Sequence, residues 1–246
     1  MAGLKIIVAY DKSSDDFRDL LAQYDPEHEV YVPVMGGHAL GEVPSVFADM
    51  QGDDTGENIS TLNPYICEMS HIYWAWKHLE ELGNPDHIGL CHYRRIIIPY
   101  AWYYSGLGPD EIMIHMGQYP SINFYRMKGN IPPYIPPLQN EAFEIINTLF
   151  PNTEDQAFLS DWKYRHMSPS LNVFIADIEE FNRFMEFVTR ELELLNPVIE
   201  GSKTGAYQQR AAAYILEFVN GFYFDHAFNV RGKRCIQTGA GLRILS

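Results

Sequence analysis

The densest basic cluster in this 246-residue chain is His92-Tyr93-Arg94-Arg95, and it stands in acidic surroundings. The chain has 18 Lys and Arg against 32 Asp and Glu, a formal charge of −14. Arginine presents a rigid fork of N–H donors that matches phosphate oxygens two at a time. At the carboxyl end of a strand such a fork suits a diphosphate, and the positive charge would stabilise that group as it leaves. An ion-pair network with some of the acidic side chains is the alternative for the same residues. The net charge opposes nonspecific attraction to nucleic acid and to anionic lipid, so a polyanionic ligand must meet a local basic cluster.

Other residues could act beside this cluster. Lys12 follows the first apolar strand and falls at the same kind of rim as Asp11. Asn63 and Pro64 read as the N-cap and first position of a helix whose early N–H groups and dipole favour phosphate, with Asn58 and Ser60 as further donors. Turn formation and capping are the plainer roles for these three polar residues. Asp53-Asp54 has the composition of a divalent-metal pair, yet adjacent acids on an extended chain point apart, which favours structural or sugar-hydroxyl roles. Glu68, near the start of the same helix, is placed to cap a neighbour or to accept from a hydroxyl. His166, Ser168 and Asn172 precede a buried strand and form a polar loop suited to an acceptor. Arg210 and Glu217, seven apart on a helix, face one side and form either a buried ion network or a wall of the site. Phosphate-loop, zincin, nucleophile-elbow and Rossmann glycine signatures are absent from the sequence, which argues against those enzyme classes.

The elements that must position these residues alternate. Leu4–Tyr10 reads as a buried strand, too short for a membrane span or a signal-peptide core. An amphipathic stretch at 15–24, a strand at 29–34 and a turn at Gly36-Gly37 follow, the start of a mostly parallel α/β sheet flanked by helices. A helix is expected from Asn63 to a stop at Gly83, with Met69, Ile72, Tyr73, Trp76 and Leu79 on one face. His87–Cys91 is a short strand, and 96–137 reads as irregular and aromatic. Helices are expected at 138–150, 178–195 and 206–224, and a strand at 171–176. The composition, 46% hydrophobic and 20% charged, fits one domain spanning 1–246. Three widely spaced cysteines fit neither a disulfide framework nor a zinc knuckle, which points to reducing cytoplasm.

The order of four strings closely resembles one bacterial family, domain of unknown function 4422. They are Gly52-Asp53-Asp54-Thr55-Gly56-Glu57-Asn58-Ile59-Ser60, Asn63-Pro64-Tyr65-Ile66-Cys67-Glu68, Tyr73-Trp74-Ala75-Trp76-Lys77 and Ile88-Gly89-Leu90-Cys91-His92-Tyr93-Arg94-Arg95. Members occur in capsular and exopolysaccharide biosynthesis and look like GT-A glycosyltransferases. The resemblance therefore implies a single-domain GT-A-like fold. It also implies hexosyl transfer from a nucleotide-sugar donor, a UDP-sugar, to an oligosaccharide or lipid-linked glycan acceptor near a membrane. Within that reading His92, Arg94, Arg95 and Glu68 are the expected catalytic residues, Lys12, Asp53, Asp54, Asn58 and Asn63 are expected at the donor, and the loop residues His166, Ser168 and Asn172 at the acceptor. His92-Tyr93-Arg94 stands where GT-A enzymes commonly carry a metal-binding Asp-x-Asp. Fixed cations are thus expected to replace the metal, with no cofactor required and magnesium or manganese as the alternative.

Overall fold

The computed structural model describes residues 3–98, 107–108, 110–117, 135–162, 168–237 and 242–244. Within them, strand β1 (Leu4–Tyr10) alternates its side chains between two cores. Ile7 and Ala9 pack into the larger, while Leu4, Ile6, Val8 and Tyr10 pack into the smaller on the other face, as the two-residue period of a strand requires. Helix α1 (Arg18–Tyr24) leads to β2 (Tyr31–Met35), which pairs in parallel with β1. A two-residue β3 (Gln51–Gly52) extends that edge in parallel. On its other edge β1 pairs in parallel with β4 (His87–His92).

Beyond β4 the sheet changes character. Strand β5 (Arg95–Ile97) folds back antiparallel on β4 and pairs with β9 (Leu242–Ile244). Strand β7 (Ser168–Asp177) is antiparallel to β4 and to β6 (Glu111–Gly117), and β8 (Arg234–Gln237) is parallel to β6. The described residues thus form a nine-stranded mixed sheet whose main path runs β3-β2-β1-β4-β7-β6-β8. The expected parallel order holds through β4, and the antiparallel half was not anticipated. Strands β5 and β6 lie in the stretch read as irregular, because β5 spans three residues and β6 mixes apolar residues with His115 and Glu111. Gly89 permits β4 to approach β7, since a Cβ there would lie 2.8 Å from Ile175 Cγ1 and 2.9 Å from the Phe174 carbonyl oxygen.

The helix expected from Asn63 to Gly83 is broken. Asn63–Ile66 forms α2, Cys67 takes φ 50° and ψ −126°, and Met69–Lys77 forms α3. Helix α4 (Ile135–Leu149) starts before the expected Leu138, its two prolines falling in the first turn where a missing N–H breaks no helical bond. Helix α5 (Thr153–Trp162) was missed because its apolar pattern is weak, with only Asp155, Leu159 and Trp162 buried. Helix α6 (Ile178–Lys203) continues through Pro197, eight residues past the expected end, where buried Val198 and Ile199 outweigh the lost hydrogen bond. Helix α7 (Ala211–Asn229) has 14 buried residues, which leaves it little amphipathic signal. No helix among the described residues is long and apolar enough to cross a membrane.

Glu191 on α6 is fully buried, and among the described residues neither carboxylate oxygen has a hydrogen-bond partner. Burial holds its pKa well above the ordinary carboxylate value. The folded chain therefore binds a proton that the unfolded chain releases, and stability falls as pH rises from the unfolded pKa to the folded one. Glu191→Gln should raise the melting temperature at pH 8 by several degrees, with the gain shrinking towards pH 4. Melting curves across that range provide the check.

Candidate active site

The carboxyl ends of β1, β2 and β4 open onto one cleft of about 730 Å³. The chain leaves β1 towards β2 on one side and reaches β4 on the other, so the β1–β4 ends form a switch point where backbone connections diverge and leave a crevice. Asp11, Lys12 and Ser13 line it from β1, and His92, Tyr93, Arg94 and Arg95 from β4 and β5. The basic cluster is a two-residue hairpin, with His92 and Arg95 paired across it and Tyr93-Arg94 at the tip. Tyr93 packs against Tyr10 and Phe17, with ring centroids 5.6 and 6.2 Å apart. The guanidinium carbon of exposed Arg94 lies 5.0 Å from the Tyr93 ring centroid, a cation–π contact. Lys12 Nζ donates to the Gly41 carbonyl at 2.9 Å. Arg95 acts electrostatically on His115, whose pKa is lowered by burial and by that charge.

The opposite wall belongs to α7 and the residues before it. Gln209, Arg210, Ala213, Tyr214 and Glu217 line the cleft, so the wall reading of Arg210 and Glu217 is the one realised. Tyr214 was overlooked, although its place four after Arg210 and three before Glu217 puts it on their face. Cys67 and Glu68, at the break between α2 and α3, form the floor with Asn63 and His71. Arg210 Nε lies 3.1 Å from Cys67 Sγ, yet burial pushes the thiol up to about 11, so it stays protonated at neutral pH. Glu68 Oε1 accepts from Asn172 Nδ2 at 2.7 Å and lies 4.0 Å from His92 Nε2. Four cationic side chains and three carboxylates line the cleft of a chain with a net charge of −14.

Several expected ligand contacts are scaffold instead. Asp53 is fully buried and accepts from the Gly37 and His38 N–H groups and from the Ser60 and Ser70 hydroxyls. Its oxygens are thereby committed to tying the loop after β2 to the start of α3. Asp54 accepts from or pairs with His38 Nδ1 at 2.8 Å, and Asn58 braces its own turn through the Asp54 and Gly56 carbonyls. Neither lines the cleft. Asn63 is no N-cap: it has helical φ and ψ, and its amide donates to the Cys67 carbonyl and Ser70 Oγ across the helix break. With only four residues, α2 carries too little aligned dipole to serve as an anion site. Gly36 fits closely beneath it, since a Cβ would fall 2.2 Å from His71 Cε1. Asn172 is buried behind Glu68 and off the cleft. Ser168 pairs through its backbone with Gly117 in the sheet, and His166 lies outside the described residues. No three His, Cys, Asp or Glu side chains gather as a metal-ligand group among the described residues.

The mixed α/β fold is similar to that of a solved glycosyltransferase. The apo structure of the WbbM bifunctional glycosyltransferase matches with a TM-score of 0.71 and 19% identity, over 99% of this chain and 45% of that one. The chain therefore spans less than half of that protein's chain, and the match shows a common fold. A family model described as domain of unknown function (DUF4422) matches residues 20–103, which run from within α1 past the β4–β5 hairpin. No curated protein sequence matches the chain.

Asp53→Ala would remove the shared acceptor of four donors and should lower the unfolding free energy by about 3 kcal/mol, as loss of a buried hydrogen-bond network implies. Chemical denaturation measures that loss.

Proposed function

We propose that the chain is a hexosyltransferase that moves a sugar from a UDP-sugar to a hydroxyl of an oligosaccharide or lipid-linked glycan. The observation that carries this reading is the convergence of Lys12, Arg94 and Arg95 on the β1–β4 crevice of an acidic chain. As the bond between sugar and diphosphate breaks, negative charge grows on the leaving group, and fixed cations stabilise that charge most when they are already in place. Tyr93 supports this by stacking under Arg94 and limiting the positions the guanidinium can take. His92 stands between the cations and Glu68, where it can contact the transferred sugar. The acceptor enters along the α7 wall of Arg210, Tyr214 and Glu217 rather than at Asn172, which is buried off the cleft.

The finer assignments rest on the same reading together with the resemblance to the polysaccharide-synthesis family. The work is that of one domain spanning 1–246, in the cytoplasm and close to a membrane-borne acceptor, in capsular or exopolysaccharide synthesis. Lys12, Arg94 and Arg95 supply the charge that a divalent ion supplies elsewhere, so metal is not required.

Thermal-shift titration with UDP and UDP-sugars checks both points. A ligand at a hundredfold its Kd stabilises the fold by about 2.7 kcal/mol, and that shift should persist in EDTA. Arg94→Ala removes a charge-assisted contact of about 1.5–3 kcal/mol and should weaken UDP about 10–100-fold. Stabilisation that disappears in EDTA and returns with manganese would refute metal independence. No shift with any nucleotide would refute the donor site.

A further inference from the structure

A buried polar chain runs from the middle of α7 to the floor of the cleft. Asn220 is 1% exposed within an apolar stretch of α7, and its Nδ2 donates to Asn172 Oδ1 at 3.1 Å. Asn172 is 6% exposed and donates from Nδ2 to Glu68 Oε1 at 2.7 Å. The direction of the chain is forced. An ionised carboxylate only accepts, so Asn172 must turn its NH₂ towards Glu68 and its oxygen towards Asn220, which must then donate.

Two features set this chain apart from ordinary core polarity. Asn172 has φ 50°, a left-handed conformation uncommon for a residue with a side chain. It sits where the β6–β7 register shifts between Ile114 and Met116, an irregularity of the kind that re-aims a side chain. Asn220 Oδ1 is buried without a hydrogen-bond partner among the described residues. An apolar residue there would avoid that desolvation penalty, and the amide's contacts are with Asn172 Oδ1 and, at 3.6 Å, Met69 Sδ.

We infer that Glu68 is the base that activates the acceptor and that Asn172 and Asn220 are positioning residues that aim it. The inference rests on the transferase reading above. Glu68 lines the cleft and is held from behind by this buried amide chain. Asp11 is exposed at the β1 end, and Glu217 belongs to the α7 wall. In the step assigned to it, the acceptor hydroxyl oxygen attacks the anomeric carbon while the bond from that carbon to the diphosphate oxygen breaks. The hydroxyl proton passes to Glu68, and the bonding electron pair leaves with UDP. A single displacement of this kind inverts the anomeric configuration. Asn172 occupies Oε1, so Oε2 is the oxygen that receives the proton.

The test compares wild type, Glu68→Gln, Asn172→Gly and Asn220→Leu. UDP affinity is measured by calorimetry, and UDP release from UDP-glucose and UDP-galactose is measured with octyl β-galactoside as acceptor. Glycine accepts the left-handed conformation, so Asn172→Gly removes the amide without backbone strain. Expected is unchanged UDP affinity throughout. kcat should fall about 10²–10⁴-fold in Glu68→Gln and about 10²-fold in the two asparagine variants, with product of inverted configuration. A purely structural role would not separate turnover from UDP affinity in this way. Wild-type protein that binds no UDP, or releases none from either donor, overturns the transferase reading itself. Turnover that survives in Glu68→Gln overturns the base assignment alone. Loss confined to Glu68→Gln overturns the positioning role.

Discussion

Strand β1 is hydrogen-bonded in parallel along both edges, to β2 on one side and β4 on the other. Parallel pairing brings their carboxyl ends to a common rim, and the divergence of the connections leaves that rim open. Tyr10 marks the junction. Its carbonyl accepts from Gly36 N at 2.9 Å and from His71 Nε2 at 2.8 Å, which ties the β2 loop and α3 to the end of β1. Everything proposed for the cleft depends on these ends remaining in register.

Around the rim, polar groups are spent on shape. Asp53 commits both oxygens to four donors so that the Gly36-Gly37 loop, the turn at Ser60 and the start of α3 stay together. The break at Cys67 keeps the chain from completing a straight helix and leaves Cys67 and Glu68 on the cleft floor. Burying a carboxyl group is costly unless its oxygens are paired; those of Asp53 are, whereas those of Glu191 are not, and burial holds its pKa up. The chain thus carries one buried acid that builds the site and another that weakens the fold at neutral pH.

Strands β1, β2 and β4 and the basic cluster were legible in the sequence, because buried parallel strands read as apolar runs and a cluster of arginines in an acidic chain is conspicuous, whereas the two-residue β3 lies where the sequence reads as turn. The antiparallel half was hidden, since β5 has three residues and its partner β9 lies more than 140 residues away. The polar residues between 53 and 63 looked like ligand groups for the same reason they make good scaffold: Asp and Asn oxygens accept equally from backbone N–H groups and from hydroxyls. Only the fold decides which. Asn220 left one faint sign, a lone amide in an apolar helix. The link from it to Glu68 spans 152 positions and an irregular strand, which no periodicity reveals.

The central claim is that the β1–β4 crevice holds a nucleoside diphosphate on fixed cations. A crystal structure with UDP bound in the presence of EDTA tests it most directly. The account predicts the diphosphate between the end of β1 and the β4–β5 hairpin, hydrogen-bonded to Lys12 and Arg94, with no metal on its oxygens. UDP bound away from this rim, or bound there without contact to either cation, would contradict it.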